Sequence, residues 1–264
     1  MKRTESRHVD PMFTIIVIPC YNEKARLRAE SFKAFAEIFP SVQFVFVDDA
    51  SNDGTLDLLD ILSRERPEQF SILSFKNNQG KAETVRQGVL HAMTKKPAFV
   101  GYLDADLSTP LEAIPLFLDI FQNRPTSQMI LGSRLKSLGR LVVRTPLRHY
   151  AGRVIATAIS VITGLQVYDS QCGAKLFRVT RELNRVFDTA FISRWLFDVE
   201  IIIRFTKIYS TRTTEDVNRL FYELPLPEWK DVKGSKVSLW DAANVPVELF
   251  RIWIKYRSMK YIGE

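Results

Sequence analysis

Three observations predict an α/β fold with a mostly parallel central sheet flanked by helices. Near-continuous apolar runs alternate with amphipathic, helix-like stretches through the first half of the chain. The runs are apolar at successive positions, not at every second one, as strands covered on both faces require. Each run also ends in a polar loop, and in open parallel sheets ligands sit beyond the carboxyl ends of the strands.

The elements follow in order. Residues 13–18 form the first run and lead into Pro19-Cys20-Tyr21-Asn22-Glu23, with a helix expected over 24–39. Residues 43–47 form the second and lead into Asp48-Asp49-Ala50-Ser51-Asn52-Asp53-Gly54-Thr55, before a helix over 55–66. Residues 70–75 form the third and lead into Lys76-Asn77-Asn78-Gln79-Gly80-Lys81, before a helix over 81–93. Residues 98–103 form the fourth, ending in Asp104-Ala105-Asp106-Leu107-Ser108, with a helix over 111–122. Further on, 175–179 reads as a strand and 195–205 as an apolar helix carrying Asp198 and Glu200, whose burial would demand cationic partners.

Composition sets bounds. The chain has 264 residues, 46% hydrophobic and 25% charged, ordinary for a globular protein with a full core. Residues 1–11 read as a disordered tail, 12–240 as one domain and 241–264 as a C-terminal amphipathic helix. Residues 1–12 are too polar for a signal peptide. No apolar run approaches the ~18–20 residues that span a bilayer. The longest, 154–167, is interrupted by Thr, Ser, Gly and Gln and reads as a core or surface-packed helix. Cys20 and Cys172 lie far apart and read as free thiols of a reducing compartment.

The net charge of +7 lacks the basic stripe with interleaved stacking aromatics that nucleic-acid binding would need. Much of the excess falls in 136–153 and near the C-terminus. On a helical wheel Leu249, Phe250, Trp253 and Tyr256 share one side, opposite Glu248, Arg251, Lys255 and Ser258. Trp and Tyr beside Lys and Arg describe a helix at a membrane interface, and equally a helix packing its aromatic side on the domain.

The sharpest chemistry lies at Asp104-Ala105-Asp106. Residues i and i+2 of an extended chain point to one side, so the two carboxylates can converge on one cation. Two hard oxygen ligands, with room for phosphate oxygens, suit Mg²⁺ or Mn²⁺. Alone, Asp-x-Asp also describes an ordinary solvated loop.

Together with Ile18-Pro19-Cys20-Tyr21-Asn22-Glu23, the Val47–Thr55 segment, Asn78-Gln79-Gly80-Lys81 and Gly132-Ser133-Arg134, the motif resembles family 2 glycosyltransferases of the GT-A fold, Rossmann-like transferases of nucleotide-diphosphate sugars. The runs Asp169-Ser170-Gln171-Cys172-Gly173-Ala174-Lys175-Leu176-Phe177, Trp195-Leu196-Phe197-Asp198-Val199-Glu200 and Lys233-Gly234-Ser235-Lys236 resemble most the dolichyl-phosphate glucosyltransferase and polyprenyl-phosphate mannosyltransferase group. That resemblance covers residues 13–236. Relatives of this group often carry membrane-spanning helices, for which this sequence has no candidate.

The resemblance implies an inverting, metal-dependent hexosyltransferase that uses a nucleoside-diphosphate sugar, UDP-glucose foremost, and a polyprenyl phosphate acceptor. It implies that Pro19, Tyr21, Glu23, Asp49 and Lys81 line the nucleotide pocket, Asp49 accepting from the base edge. Asp106 would be the direct metal ligand, Asp104 would reach the ribose and the metal, and Ser108 would add a weak contact. Arg134, Arg148 and Arg153 are candidates for the acceptor phosphate, and Lys233 and Lys236 for a loop closing over the donor diphosphate.

Several positions keep a plainer reading beside this one. Asp53 reads as a turn former, and Lys81 as either a nucleotide contact or a solvated lysine. Asp169 would be the general base if the acceptor were a hydroxyl, and a shaping or turn-capping residue if it were a phosphate already ionised. The expected location is peripheral, on the cytosolic face of a membrane, and a homodimer or a membrane-protein partner is compatible with the sequence. Two competing functions stay open: a soluble family member acting on a hydroxyl of a glycan or protein, and a non-catalytic nucleotide-sugar-binding subunit of a membrane complex. A nicotinamide-dependent dehydrogenase is strongly disfavoured, because no Gly-x-Gly-x-x-Gly loop follows the first strand.

Overall fold

The computed structural model describes residues 12–143, 156–157, 159–160, 165, 167–209, 213–232 and 239–257. Within these, strands β1 (Thr14–Cys20), β2 (Val42–Asp48), β3 (Phe70–Ser74) and β4 (Phe99–Leu103) alternate with helices α1 (Ala29–Ile38), α2 (Thr55–Glu65), α3 (Lys81–Thr94) and α4 (Ala113–Asn123). They are followed by β5 (Met129–Ser133), β6 (Leu141–Val143), β7 (Ala174–Arg178), α5 (Arg181–Phe187), α6 (Phe197–Ile208), α7 (Thr214–Arg219), β8 (Phe221–Pro225), β9 (Glu228–Lys230) and α8 (Leu239–Arg257).

The main sheet has the order β3-β2-β1-β4-β7-β5-β8. All its pairs are parallel except those of β7, which runs antiparallel to both β4 and β5. Strands β6 and β9 form a separate two-stranded parallel ribbon.

Both faces of the sheet are covered, which explains the unbroken apolar runs. In β1, Ile16 and Ile18 join the cluster that holds Phe32 and Phe35 of α1 and Phe117 of α4, while Ile15 and Val17 join the opposite cluster with Val85 and Val89 of α3 and Phe197 and Ile201 of α6. The first cluster is rich in aromatic pairs, such as Phe32 edge-on to Phe44 and Phe46 at 5.3 and 5.1 Å. A smaller third cluster packs Leu249, Ile252 and Tyr256 of α8 against Leu196, Val199 and Ile203.

Two expectations need correction. The first helix starts at Ala29, not at residue 24. The Glu23 carbonyl accepts from the backbone N–H of Arg26 and Leu27, and the Lys24 N–H donates to Asp53 and Thr55, so cross-loop bonds hold 22–27 as a turn. The wheel of the C-terminal helix also divides differently. Leu249 and Tyr256 are buried with Ile252, but Phe250 and Trp253 are exposed with Val247 and Ile254. Positions 249, 252 and 256 follow the i, i+3, i+7 stripe, and 250 and 253 lie further round the helix. The helix begins at Leu239 and contains Pro246. The expected helix over 154–167 falls largely outside the described residues, although Ala156 and Ile159 are buried.

A fully buried lysine sits inside the sheet. Lys175 of β7 is fully buried, and its ammonium donates to the Cys172 carbonyl at 2.6 Å and pairs with Asp198 of α6 at 2.6 Å. The Tyr102 hydroxyl donates to the same carboxylate. Burial, then the Asp198 charge, pushes the Tyr102 phenol well above its ordinary value, so it stays a protonated donor. Removing one member of such a pair strands the other in low dielectric. Lys175→Met is therefore expected to cost about 3–5 kcal/mol of stability. Urea denaturation checks this, and a change below about 1 kcal/mol would refute the structural role.

Candidate functional site

The carboxyl ends of β1, β2, β3 and β4 lie side by side, and the loops leaving them line one cleft of about 510 Å³. Its walls include Pro19, Tyr21, Glu23 and Arg26 after β1, Asp49 after β2, Asn78, Gly80, Lys81 and Thr84 around the start of α3, and Asp104 and Asp106 after β4. Arg194 and Trp195, which precede α6, and Glu248 of α8 complete it.

Local bonding explains the placement of each group. Asn22 adopts a left-handed backbone at φ 51°, which turns the chain out of β1, and its side-chain oxygen accepts from the Asn52 N–H. Asp53 accepts from the Thr55 N–H at 2.9 Å and from the Lys24 N–H at 3.1 Å, the turn-forming role expected of it. Asp49 is buried, and its two oxygens accept from the backbone N–H of Gln79 at 2.6 Å and Gly80 at 2.8 Å. Its carboxylate thus holds the loop that opens α3 while still facing the cleft.

The Asp104/Asp106 pair is built by β4 and its neighbour β7. The Asp104 N–H donates to the Gly173 carbonyl at 3.1 Å, and a Cβ at residue 173 would stand 1.9 Å from an Asp104 oxygen. Any side chain at 173 would push the Asp104 carboxylate aside. Lys81 donates to Asp104 at 2.5 Å. Burial alone would lower the Lys81 ammonium, yet Asp104 holds it above its ordinary value, so it is charged. Asp106 accepts from the Ser108 N–H at 3.0 Å and lies 3.6 Å from the Arg26 guanidinium, which also pairs with Glu23. The contact Ser108 makes is therefore to Asp106 itself. Burial, and then the charge of Asp104, push the Asp106 carboxyl up from its ordinary value.

These residues fit a divalent cation. Among the described residues no three His, Cys, Asp or Glu side chains converge on a metal position. Mg²⁺ and Mn²⁺ sites that serve phosphates need no such cage, because one or two carboxylates are completed by substrate oxygens and water. Charge points the same way: Glu23, Asp49, Asp104, Asp106 and Glu248 outnumber Arg26, Lys81 and Arg194 on the walls, so an entering diphosphate would need added positive charge.

Asp169 and Arg134 are brought together, though not on the cleft wall. Arg134 Nε and Nη2 donate to the two Asp169 oxygens at 2.6 Å each, and the Arg134 N–H adds a third bond at 3.0 Å. The Arg134 guanidinium also lies over the Trp229 ring at 5.4 Å. Glu223 accepts from the N–H groups of Tyr168 and Asp169, fixing the loop that carries the acid. The separate readings of Arg134 as a phosphate holder and Asp169 as a base thus meet in a single bidentate pair, in which the acid is fully engaged. Arg148, Arg153, Lys233 and Lys236 lie outside the described residues.

Asp198 and Glu200 have the partners their burial requires. Asp198 pairs with Lys175, and Glu200 accepts from the N–H groups of Ile192 and Ser193 and from the Tyr256 hydroxyl, with Arg204 at 3.7 Å. Sequence reasoning missed Arg26, Asn78, Thr84, Arg194 and Glu248 as cleft residues. Asn78 sat within a quoted motif and Arg194 beside one, but Glu248 reaches the cleft from 54 residues beyond Arg194, a proximity no local pattern carries.

Comparison with known proteins fits this architecture. Residues 15–183 match the glycosyl transferase family 2 domain. A dolichyl-phosphate beta-glucosyltransferase of Saccharomyces cerevisiae is 28% identical over 254 residues, spanning 89% of this chain and 72% of the yeast protein. The Homo sapiens dolichyl-phosphate beta-glucosyltransferase is 26% identical over 264 residues, covering 91% of this chain and 75% of its own. Among solved structures, glucosyl-3-phosphoglycerate synthase of Mycobacterium tuberculosis, in complex with Mn²⁺, UDP-glucose and phosphoglyceric acid, superposes with a TM-score of 0.66 at 12% identity, covering 96% of this chain and 82% of the other. A mannosyltransferase of Pyrobaculum calidifontis in complex with GDP-mannose and Mn²⁺ gives 0.59 at 19% identity, covering 96% and 67%. A shared fold, a matched domain and a cleft at the carboxyl ends of the strands lead to one assignment: the chain belongs to glycosyl transferase family 2 and is a glycosyltransferase with the GT-A fold.

Proposed function

We propose that the protein is an inverting hexosyltransferase that moves a hexose, glucose from UDP-glucose foremost, onto a polyprenyl or dolichyl phosphate. The observation that carries this reading is the Asp104/Asp106 pair at the carboxyl end of β4, facing a cleft walled by the loops of the three neighbouring strands. The dolichyl-phosphate glucosyltransferases among its relatives support the acceptor and the sugar.

Pro19, Tyr21 and Glu23 bound the nucleotide, and Asp49 offers its remaining lone pairs to the N–H edge of the base. Asp106 and Asp104 would hold Mg²⁺ or Mn²⁺, which when bound offsets charge on the donor diphosphate. Lys81 holds the Asp104 carboxylate in place. The acceptor phosphate, already an anion at neutral pH, attacks the anomeric carbon opposite the departing nucleotide and needs no base. Asp169 then serves by orienting Arg134, whose N–H donors outside the pair are assigned with Arg148 to the acceptor phosphate. Lys233 and Lys236 are assigned to the departing diphosphate. The engagement of both Asp169 oxygens disfavours the hydroxyl-accepting alternative, which would need that carboxylate to take a proton.

The acceptor places the protein at a membrane. Among the described residues no helix is long and apolar enough to cross one. Attachment is assigned to the outer face of α8, where Phe250 and Trp253 stack at 5.8 Å and the Arg257 guanidinium lies over the Trp253 ring at 4.7 Å. An apolar strip edged by Arg251 and Arg257 suits the anionic cytosolic leaflet, with reversible binding.

Incubation with Mg²⁺ or Mn²⁺, a polyprenyl phosphate and labelled UDP-glucose, UDP-galactose or GDP-mannose in turn should give label in the organic phase, most with UDP-glucose. Donor hydrolysis without lipid product would favour a hydroxyl acceptor, and an untouched donor a binding role. Asp106→Ala should lower transfer about a hundredfold or more, since a metal at a developing charge contributes several kcal/mol; full metal-dependent activity in this variant would sink the site assignment. Replacing Phe250 and Trp253 together by Glu should reduce co-sedimentation with anionic liposomes at least tenfold, because burial of each ring contributes about 1.5–3 kcal/mol. Unchanged co-sedimentation would remove α8 as the attachment surface.

A further inference from the structure

Three cations line the cleft, and they differ in what they hold. Arg26 pairs with Glu23 and Asp106, and Lys81 pairs with Asp104. Arg194 pairs with no carboxylate among the described residues; its Nη2 donates to the amide oxygen of Asn78 at 3.0 Å. It reaches there across Gly80, where a Cβ would come 2.4 Å from the guanidinium Nε. A guanidinium bonded to a neutral amide gives up no opposite charge on moving to a phosphate, which offers it a full negative charge and bidentate acceptors.

The segment that carries Arg194 is held from both sides. Glu200, fully buried, accepts from the N–H groups of Ile192 at 2.8 Å and Ser193 at 2.9 Å. The Ser193 hydroxyl accepts from the N–H groups of Trp195 and Leu196 and donates to Glu248 of α8 at 2.5 Å. Glu200 also accepts from the Tyr256 hydroxyl of α8 at 3.0 Å, and that hydroxyl accepts from Arg204 at 2.8 Å. The Ser193 hydroxyl thus ties the turn that leads into α6, whose N-cap residue Leu196 supplies no side-chain cap. Two further bonds to α8, on either side of the same short segment, fix where residue 194 starts.

We propose that Arg194 binds a phosphate of the nucleoside diphosphate in this cleft, and that α8 acts as a latch that positions it through Glu248 and Ser193. The inference rests on the nucleotide-sugar reading of the cleft and adds to it a binding residue and its positioning residue. It also gives α8 a role at the site that is separate from any lipid surface.

The test is nucleotide affinity of the full chain, with UDP and GDP set against uridine and guanosine, measured by calorimetry in Mg²⁺. Arg194→Ala is expected to weaken the diphosphate about tenfold or more and to leave the nucleoside unchanged. Glu248→Ala removes a negative charge from the cleft wall, so a purely electrostatic role would tighten the diphosphate. A positioning role weakens it about threefold or more, and Glu248→Gln, which still accepts from Ser193, recovers most of the loss. Unchanged diphosphate affinity in Arg194→Ala, an equal loss for the nucleoside, or tighter binding in Glu248→Ala overturns the proposal while leaving the cleft a nucleotide site. A wild-type chain that binds neither diphosphate overturns the nucleotide reading and this inference with it.

Discussion

The carboxyl end of the sheet gathers carboxylates out of water, and the rest of the site depends on how their charge is met. An ion moved into the interior costs several kcal/mol unless it is paired and hydrogen-bonded. Here the pairing is systematic: Glu23 and Asp106 with Arg26, Asp104 with Lys81, Asp169 with Arg134, Asp198 with Lys175, and Glu200 with Arg204. Asp49 and Glu223 are met by backbone N–H groups instead. The pairs of Asp106 with Arg26, Asp104 with Lys81, Asp169 with Arg134 and Asp198 with Lys175 each join separate elements or loops, so satisfying the charge there also fixes the geometry. Lys175 shows the principle best, because it ties the strand beside Asp104 to the helix behind it.

Topology determines why these groups meet. In the order β3-β2-β1-β4, the chain winds outward from β1 to β3 and then returns to the other side of β1 at β4. A crevice opens at such a reversal, and the loops after β1 and β4 flank it. Tyr21 and Glu23 leave one strand there, and Asp104 and Asp106 leave the other. The antiparallel strand β7 is the departure from a simple doubly wound pattern. By running against β4 it brings Gly173 to Asp104, so close that a side chain at 173 would displace the carboxylate, and sets Asp169 beside the end of β5 where Arg134 emerges.

Much of this was legible in the sequence, for a physical reason. Strands covered on both faces write themselves as unbroken apolar runs, so β1 to β4 were readable, and the loops that follow could be placed at one end of the sheet. Partners were not readable when they lie far apart. The pairing of Arg134 with Asp169 spans 35 residues, and nothing local in either segment marks it. The start of α1 differs from the periodicity because the helical propensity of 24–28 yields to hydrogen bonds that the Lys24 N–H donates to Asp53 and Thr55, a competition between loops that sequence periodicity does not record. The C-terminal helix was ambiguous because it is apolar on two sides. A single wheel merges them; contact with Leu196, Val199 and Ile203 separates them.

That two-sidedness bears on how the cleft could serve the proposed lipid acceptor. One face of α8 buries Leu249, Ile252 and Tyr256 in the domain, and a second exposes Val247, Phe250, Trp253 and Ile254. Glu248 lies on neither, and it reaches the cleft. A helix so placed presents a buried face, an exposed apolar face and a cleft residue, and their relative directions are set by the helix itself. Because Tyr256 is held by Glu200 and Arg204, the outer face cannot rotate without breaking a buried polar network. A bilayer meeting Phe250 and Trp253 would therefore meet the cleft in a fixed orientation, and a phosphate carried at the surface of that bilayer would approach one mouth of the site and no other.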